Sequence, residues 1–223
     1  MNKTIESIST SEKVLRRVAA IVSWIFSPFW IPTFAFILLF TVSYLKNMPT
    51  QYKLLVTAIV ACFTIIMPGL GIGIFRFINN LTKYTEKKHR HFPALLTLAS
   101  YVFCMITMLK LNIPWYMTGV VLASLTILLS FYITNFFWKI SEHTAGLGGV
   151  IGGVLSFSSP FGYNPIVWLS GGILIVGLLG SARIILNKHT LGEVFGGFFI
   201  GLACTMIVLN PMIMNFIYRF LLY

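Results

Sequence analysis

Residues 165–210 read PIVWLSGGILIVGLLGSARIILNKHTLGEVFGGFFIGLACTMIVLN. Two apolar runs, about Pro165 to Ala182 and about Leu191 to Asn210, flank one short polar knot. Each run approaches the ~20 residues with which a helix crosses a bilayer core. The rest of the 223-residue chain repeats the pattern. It is 57% hydrophobic and only 9% charged, with a mean hydropathy of +0.89. Soluble domains carry about 25% charged residues, so this chain cannot clothe a water-facing surface. The expectation is an all-α, polytopic membrane helix bundle of about six to seven transmembrane helices.

Working back from residue 165, the runs are punctuated by prolines and short polar segments. Residues 1–17 are polar and suit a surface helix. An apolar run from Val18 to Leu45 is broken at Pro28 and Pro32. Proline costs a helix interior about 3 kcal/mol, so a bend is expected there, with a first span from about Phe29. Further spans are expected at about Tyr52–Phe77 with a kink at Pro68, Pro93–Lys110, Pro114–Trp138 and a glycine-rich Ala145–Phe157. The whole chain, 1–223, reads as one membrane domain, its bundle covering 18–215. Glycines at 148, 149, 152 and 153, and at 192, 196, 197 and 201, give the small-xxx-small spacing that lets helices approach closely in lipid; packing is their expected role.

Sixteen Lys and Arg against five acids, all Glu, leave a net charge of +11. On a membrane protein such an excess points to loops and lipid headgroups, or to an anionic substrate, and not to nucleic acid. Cys62, Cys104 and Cys204 sit singly inside apolar runs and read as small hydrophobes. The polar stretch ahead of the first run, and the length of that run, do not fit a cleavable signal.

The scarce polar residues concentrate. All four histidines and three of the five glutamates fall in 83–93, 139–144 and 183–193. Two spans separate each stretch from the next, so all three are expected at one membrane face. Ionisable groups at membrane depth are costly and point first to function. In the third stretch His189 and Glu193 are four residues apart, neighbours on one helix face. A carboxylate there fixes the imidazole tautomer and frees the other nitrogen's lone pair, which prepares a nucleophile. Thr190-x-x-Glu193 equally fits a capping box. In the second stretch, Ser141 and His143 stand just before a glycine-rich helix, whose N-terminal N–H groups suit phosphate; a plain Ser or Thr cap is the alternative. The first stretch, with Lys83, Glu86, Lys87, Lys88, His89, Arg90 and His91, reads as a membrane-surface anchor or as phosphate donors.

Together these stretches resemble the type 2 phosphatidic acid phosphatase family, membrane enzymes of the histidine acid phosphatase-like superfamily. The family pattern is K-x6-R-P, then P-S-G-H, then S-R-x5-H-x3-D. Here Arg183-x5-His189-x3-Glu193 keeps the third spacing, with Glu for Asp and Ala182 between Ser181 and Arg183. Ser141-x-His143 matches the second, with Ile140 and Glu142 for Pro and Gly. Lys83-x6-Arg90 matches the first, followed by His91, with the proline delayed to Pro93; Lys87 is an alternative to Lys83.

The resemblance implies a lipid-phosphate phosphatase that needs no metal and no cofactor. His189 would be the nucleophile, oriented by Glu193, and His143 the acid and base. Arg183, Arg90, Ser141 and one of Lys83 or Lys87 would hold the phosphoryl oxygens. The implied substrates are phosphatidic acid, phosphatidylglycerol phosphate or a polyprenyl diphosphate, met among membrane lipids, and the implied location is a bacterial inner (plasma) membrane. Two rivals stand beside it: a metal-dependent hydrolase using His143, His189, Glu142 and Glu193, and a non-catalytic lipid-binding or transport protein with a His/Glu proton relay. Twelve of the sixteen cations fall on the face of the three stretches, which favours the cytoplasm. Relatives with the ordinary layout face outward, and both sides stay open, as does the oligomeric state.

Overall fold

The computed structural model describes residues 2–82 and 92–214. Among them the chain is α-helical, with no strand. The helices are α1 (Asn2–Ile25), α2 (Ile31–Val42), α3 (Thr50–Ala61), α4 (Met67–Thr82), α5 (Phe92–Lys110), α6 (Trp115–Thr134), α7 (Glu142–Phe161), α8 (Ile166–Ile185) and α9 (Leu191–Val208). The segments Thr50–Phe75, Pro93–Lys110, Trp115–Thr134, Ile166–Ile185 and Leu191–Val208 are long and apolar enough to cross a membrane. These five match expected spans.

The other two expected spans differ. The polar N-terminal segment and the first apolar residues form one helix, α1, before the bend; α2 then starts at Ile31 with Pro32 in its first turn. At twelve residues, α2 is about 18 Å long, short of a ~30 Å hydrocarbon core. Ser43 closes it, its hydroxyl donating to the Leu39 carbonyl at 2.7 Å. The glycine-rich α7 is long enough but less apolar, and its environment explains why: α2, α6, α8 and α9 pack around it. It meets protein more than lipid, so small and polar residues are tolerated.

α3 runs into α4 through a π-helical segment, Cys62–Ile66, in which Met67 N–H reaches the Cys62 carbonyl. The kink expected at Pro68 appears here. Proline lacks an N–H and crowds the carbonyl four residues back, and a widened turn just before it relieves both. In lipid a freed carbonyl needs a partner; the Ser100 hydroxyl on α5 donates to the Phe63 carbonyl.

A buried cluster including Phe36, Leu45, Val60, Met108, Met117 and Phe157 joins α2, α3, α5, α6 and α7. It lies toward the end of the bundle formed by the Tyr44–Asn47 turn and the α5–α6 connection. The opposite end carries Trp24, Trp30, Phe136, Phe137 and Trp138, all exposed, as interface anchors would be. The second and third polar stretches belong to this aromatic end.

The closest helix pair is α7 with α9. At Gly148 an added Cβ would run into the Phe198 carbonyl, at Gly197 into that of Ser141, and at Gly201 into that of Ala145. Backbone therefore meets backbone along the seam. Ser141 N–H donates to the Glu193 carbonyl at 3.1 Å, and Thr144 Oγ1 donates to the Val194 carbonyl at 2.9 Å. The glycine spacing thus fixes the start of α7 against the start of α9.

Candidate active site

That seam brings the second and third polar stretches together. His143 stands in the first turn of α7, Arg183 in the last turn of α8, and His189 in the short connection to α9. All three line one end of a cavity of about 820 Å³, with Glu142 and Lys139. Lys139 Nζ donates to the Lys188 carbonyl at 3.3 Å, tying the two connections.

Both sequence readings of Glu193 hold in the same atom. His189 Nδ1 lies 2.8 Å from Glu193 Oε2, and the same oxygen accepts from Thr190 N–H at 3.3 Å. Thr190 Oγ1 in turn accepts from Glu193 N–H at 3.4 Å, completing a capping box. The carboxylate is therefore held by the helix end and holds the imidazole. An Nδ1–H donated to it leaves the Nε2 lone pair free, on a side chain only 8% exposed. Burial lowers the basicity of His189, and Arg183 adds to this, against the hydrogen bond that His189 donates to Glu193. The ring is thereby favoured in its neutral form.

His143 is more strongly shifted. Burial pushes its pKa down to about 4, with Arg183 and His189 adding to the effect and the Ser23 carbonyl opposing it. Glu142 is ringed by protein, but its surface opens into the cavity. Burial raises its pKa, while Arg183 works the other way.

Arg183 Nη1 donates to Ser23 Oγ at 3.4 Å, and its Nε is buried without an acceptor among the described residues. Ser23, 7% exposed on α1, thus touches both Arg183 and His143. Sequence reasoning missed it. The one local signal is a small hydroxyl in an otherwise apolar turn, four residues after the buried Ala19.

The other expected phosphate binders fare differently. Ser141 is fully buried and its hydroxyl accepts from Thr144 N–H at 3.5 Å, so it is the cap of α7 and does not line the cavity. Glu142 occupies that wall instead. Lys83, Lys87 and Arg90, with Glu86, His89 and His91, lie outside the described residues. Gly69 and Gly73 on α4, and Pro93 and Thr97 on α5, line the same cavity. Among the described residues no three His, Cys, Asp or Glu side chains converge as metal ligands. Comparisons of the chain with family models, curated proteins and solved structures find no match.

Proposed function

We propose that this membrane protein hydrolyses the phosphate ester or diphosphate of a lipid through a phosphohistidine on His189. The observation that carries the reading is the His189–Glu193 pair beside a cavity that His143 and Arg183 also line. A proton relay or a lipid carrier has no need of a guanidinium there; a phosphoryl group does. The resemblance of Arg183-x5-His189-x3-Glu193 to type 2 phosphatidic acid phosphatases supports the same reading, and on that resemblance we place the protein in a bacterial inner membrane.

In this mechanism Nε2 of His189 attacks phosphorus in line and the bond to the leaving oxygen breaks. His143 gives that oxygen a proton. Water then attacks the phosphohistidine, His143 takes the water's proton, and inorganic phosphate leaves with Nε2 restored. Arg183 neutralises charge on the transferring oxygens. Lys83 or Lys87, with Arg90, would join it from the first stretch.

A pH profile tests the proton's route. In the free protein His143 is neutral above about 4, so the proton for the leaving group must arrive with the substrate. Phosphate esters lose their second proton near pH 6. kcat/KM, which reports free enzyme and free substrate, is therefore expected to fall toward tenfold per unit as the pH rises above about 6. A kcat/KM rising from pH 6 to 8 contradicts the assignment of His143.

Glu193 separates charge from geometry. Glu193→Gln keeps an acceptor for the Thr190 N–H and so keeps the cap, but loses the charge that supports the imidazolium. A fall in kcat of about a hundredfold or more is expected, with a melting temperature near wild type. Glu193→Asp retains the charge at shorter reach and is expected to keep more activity than the Gln variant. The opposite order, measured as phosphate release, removes the electrostatic role.

A further inference from the structure

The cavity does not stop at the polar residues. Along α7 it is lined by His143, Gly146, Gly149, Gly153 and Phe157, one face of the helix at three- and four-residue steps. His143 to Phe157 is about 21 Å at 1.5 Å per residue. The facing wall on α6 runs antiparallel from Asn135 to Val120, which by the same measure is about 22 Å. α2, α4, α5 and the C-terminal end of α9 supply the other apolar walls. The form is a shaft with cationic and imidazole groups at one end and the buried apolar cluster at the other, where Phe157 and Leu209 belong to both.

Its dimensions select a ligand. An extended alkyl chain advances about 1.3 Å per carbon, the axial projection of a ~1.5 Å bond, so 21 Å takes roughly sixteen carbons. The volume agrees independently: at about 30 Å³ per water-sized group, 820 Å³ admits about 27 non-hydrogen atoms. A phosphate, a short linker and one sixteen-carbon chain number about that many; two such chains exceed it by more than half. Glycines make the room. Gly153 has nothing nearer an added Cβ than 4.0 Å, and Gly69 and Gly73 have nothing within 4 Å.

We propose that the shaft binds a phosphate ester bearing a single linear hydrocarbon chain of about sixteen carbons, its chain enclosed by α2, α4, α5, α6 and α7 and its phosphate at Arg183. The headgroup end rests on the phosphatase reading; the chain end stands on the shaft alone. Gly153 lies about 15 Å beyond His143, the depth reached by roughly the eleventh carbon. A side chain placed there shortens the shaft.

The test is competition in a single detergent. Octyl phosphonate, hexadecyl phosphonate and a two-chain dipalmitoyl phosphonate analogue displace a labelled hexadecyl phosphonate from wild type, Gly153→Leu and Ser124→Leu protein. Ser124 faces the shaft from α6 at a similar depth and decides the matter should the Gly153 variant not fold. Wild type is expected to bind the two-chain analogue at least tenfold more weakly than hexadecyl phosphonate. Either variant is expected to cut the hexadecyl-to-octyl affinity ratio at least tenfold. A two-chain analogue bound within twofold of the single-chain one, or a ratio changed less than threefold in the folded variants, overturns the proposal. Phosphate release from hexadecyl phosphate, measured in parallel, keeps the two readings apart. The expected binding pattern without release keeps the shaft and removes the phosphatase; release without the pattern does the reverse.

Discussion

His189→Ala protein is expected to release phosphate at least about a thousandfold more slowly than wild type, at every substrate concentration, because the variant has lost the atom that would bond to phosphorus. The fold should survive. His189 sits in the connection between α8 and α9, and its hydrogen-bond partner among the described residues, Glu193, remains tied to Thr190 N–H through the cap. Removing the ring therefore leaves α9 wound and the α7–α9 seam closed. The measurement is phosphate release by detergent-purified protein with chelator present, alongside a thermal melt. Labelled phosphate should be trapped on wild-type protein and absent from the variant. Retained turnover in a folded His189→Ala protein ends the phosphohistidine mechanism, and loss of wild-type activity in chelator moves the metal-dependent rival forward.

Gly201→Ala is expected to be the most damaging single methyl group in the bundle. Its Cβ would enter the Ala145 carbonyl and come within 2.7 Å of the carbonyl carbon. Backbone cannot rotate aside as a side chain can, so α7 and α9 must part. Parting them breaks the Thr144–Val194 and Ser141–Glu193 bonds. Overpacking a rigid contact and the lost bonds together cost about 3 kcal/mol, so the melting temperature should fall by roughly 6–12 °C for a chain of this size. Gly177→Ala is the control. Nothing lies within 4 Å of its added Cβ, and the helix gains intrinsic stability from the exchange. A Gly201→Ala melt within about 2 °C of wild type would falsify the seam as the element that holds the site together.

The helical architecture was readable because hydropathy is a local property. Each run between prolines and polar knots could be measured against the bilayer without knowing its neighbours. The pairing of His189 with Glu193 was readable for the same reason, since four residues on a helix define a face. So was the packing role of the glycines on α7 and α9, though not that these two helices meet each other. What escaped depends on distance along the chain or on competition between hydrogen-bond partners. Ser23 meets Arg183 across 160 residues, and no spacing rule reaches that far. Ser141 looked suited to phosphate, but a serine at the start of a helix serves its own backbone first, and the cap turns its hydroxyl inward. Glu142, one residue on, takes the cavity wall. The π-helical turn at Cys62–Ile66 and the shortness of α2 were equally hidden, because both are set by what packs alongside.

The bond between Ser23 and Arg183 also has a consequence in time. α1 leaves the ribosome before α8, and the partner of Ser23 follows 160 residues later. At about 5–20 residues per second, roughly 8 to 32 seconds of synthesis separate the two. Until α8 arrives the guanidinium is missing, and until α1 has docked it lacks its brace. On the mechanism proposed above, a nascent chain would therefore have no competent centre to turn on the lipids around it until α8 has docked against α1.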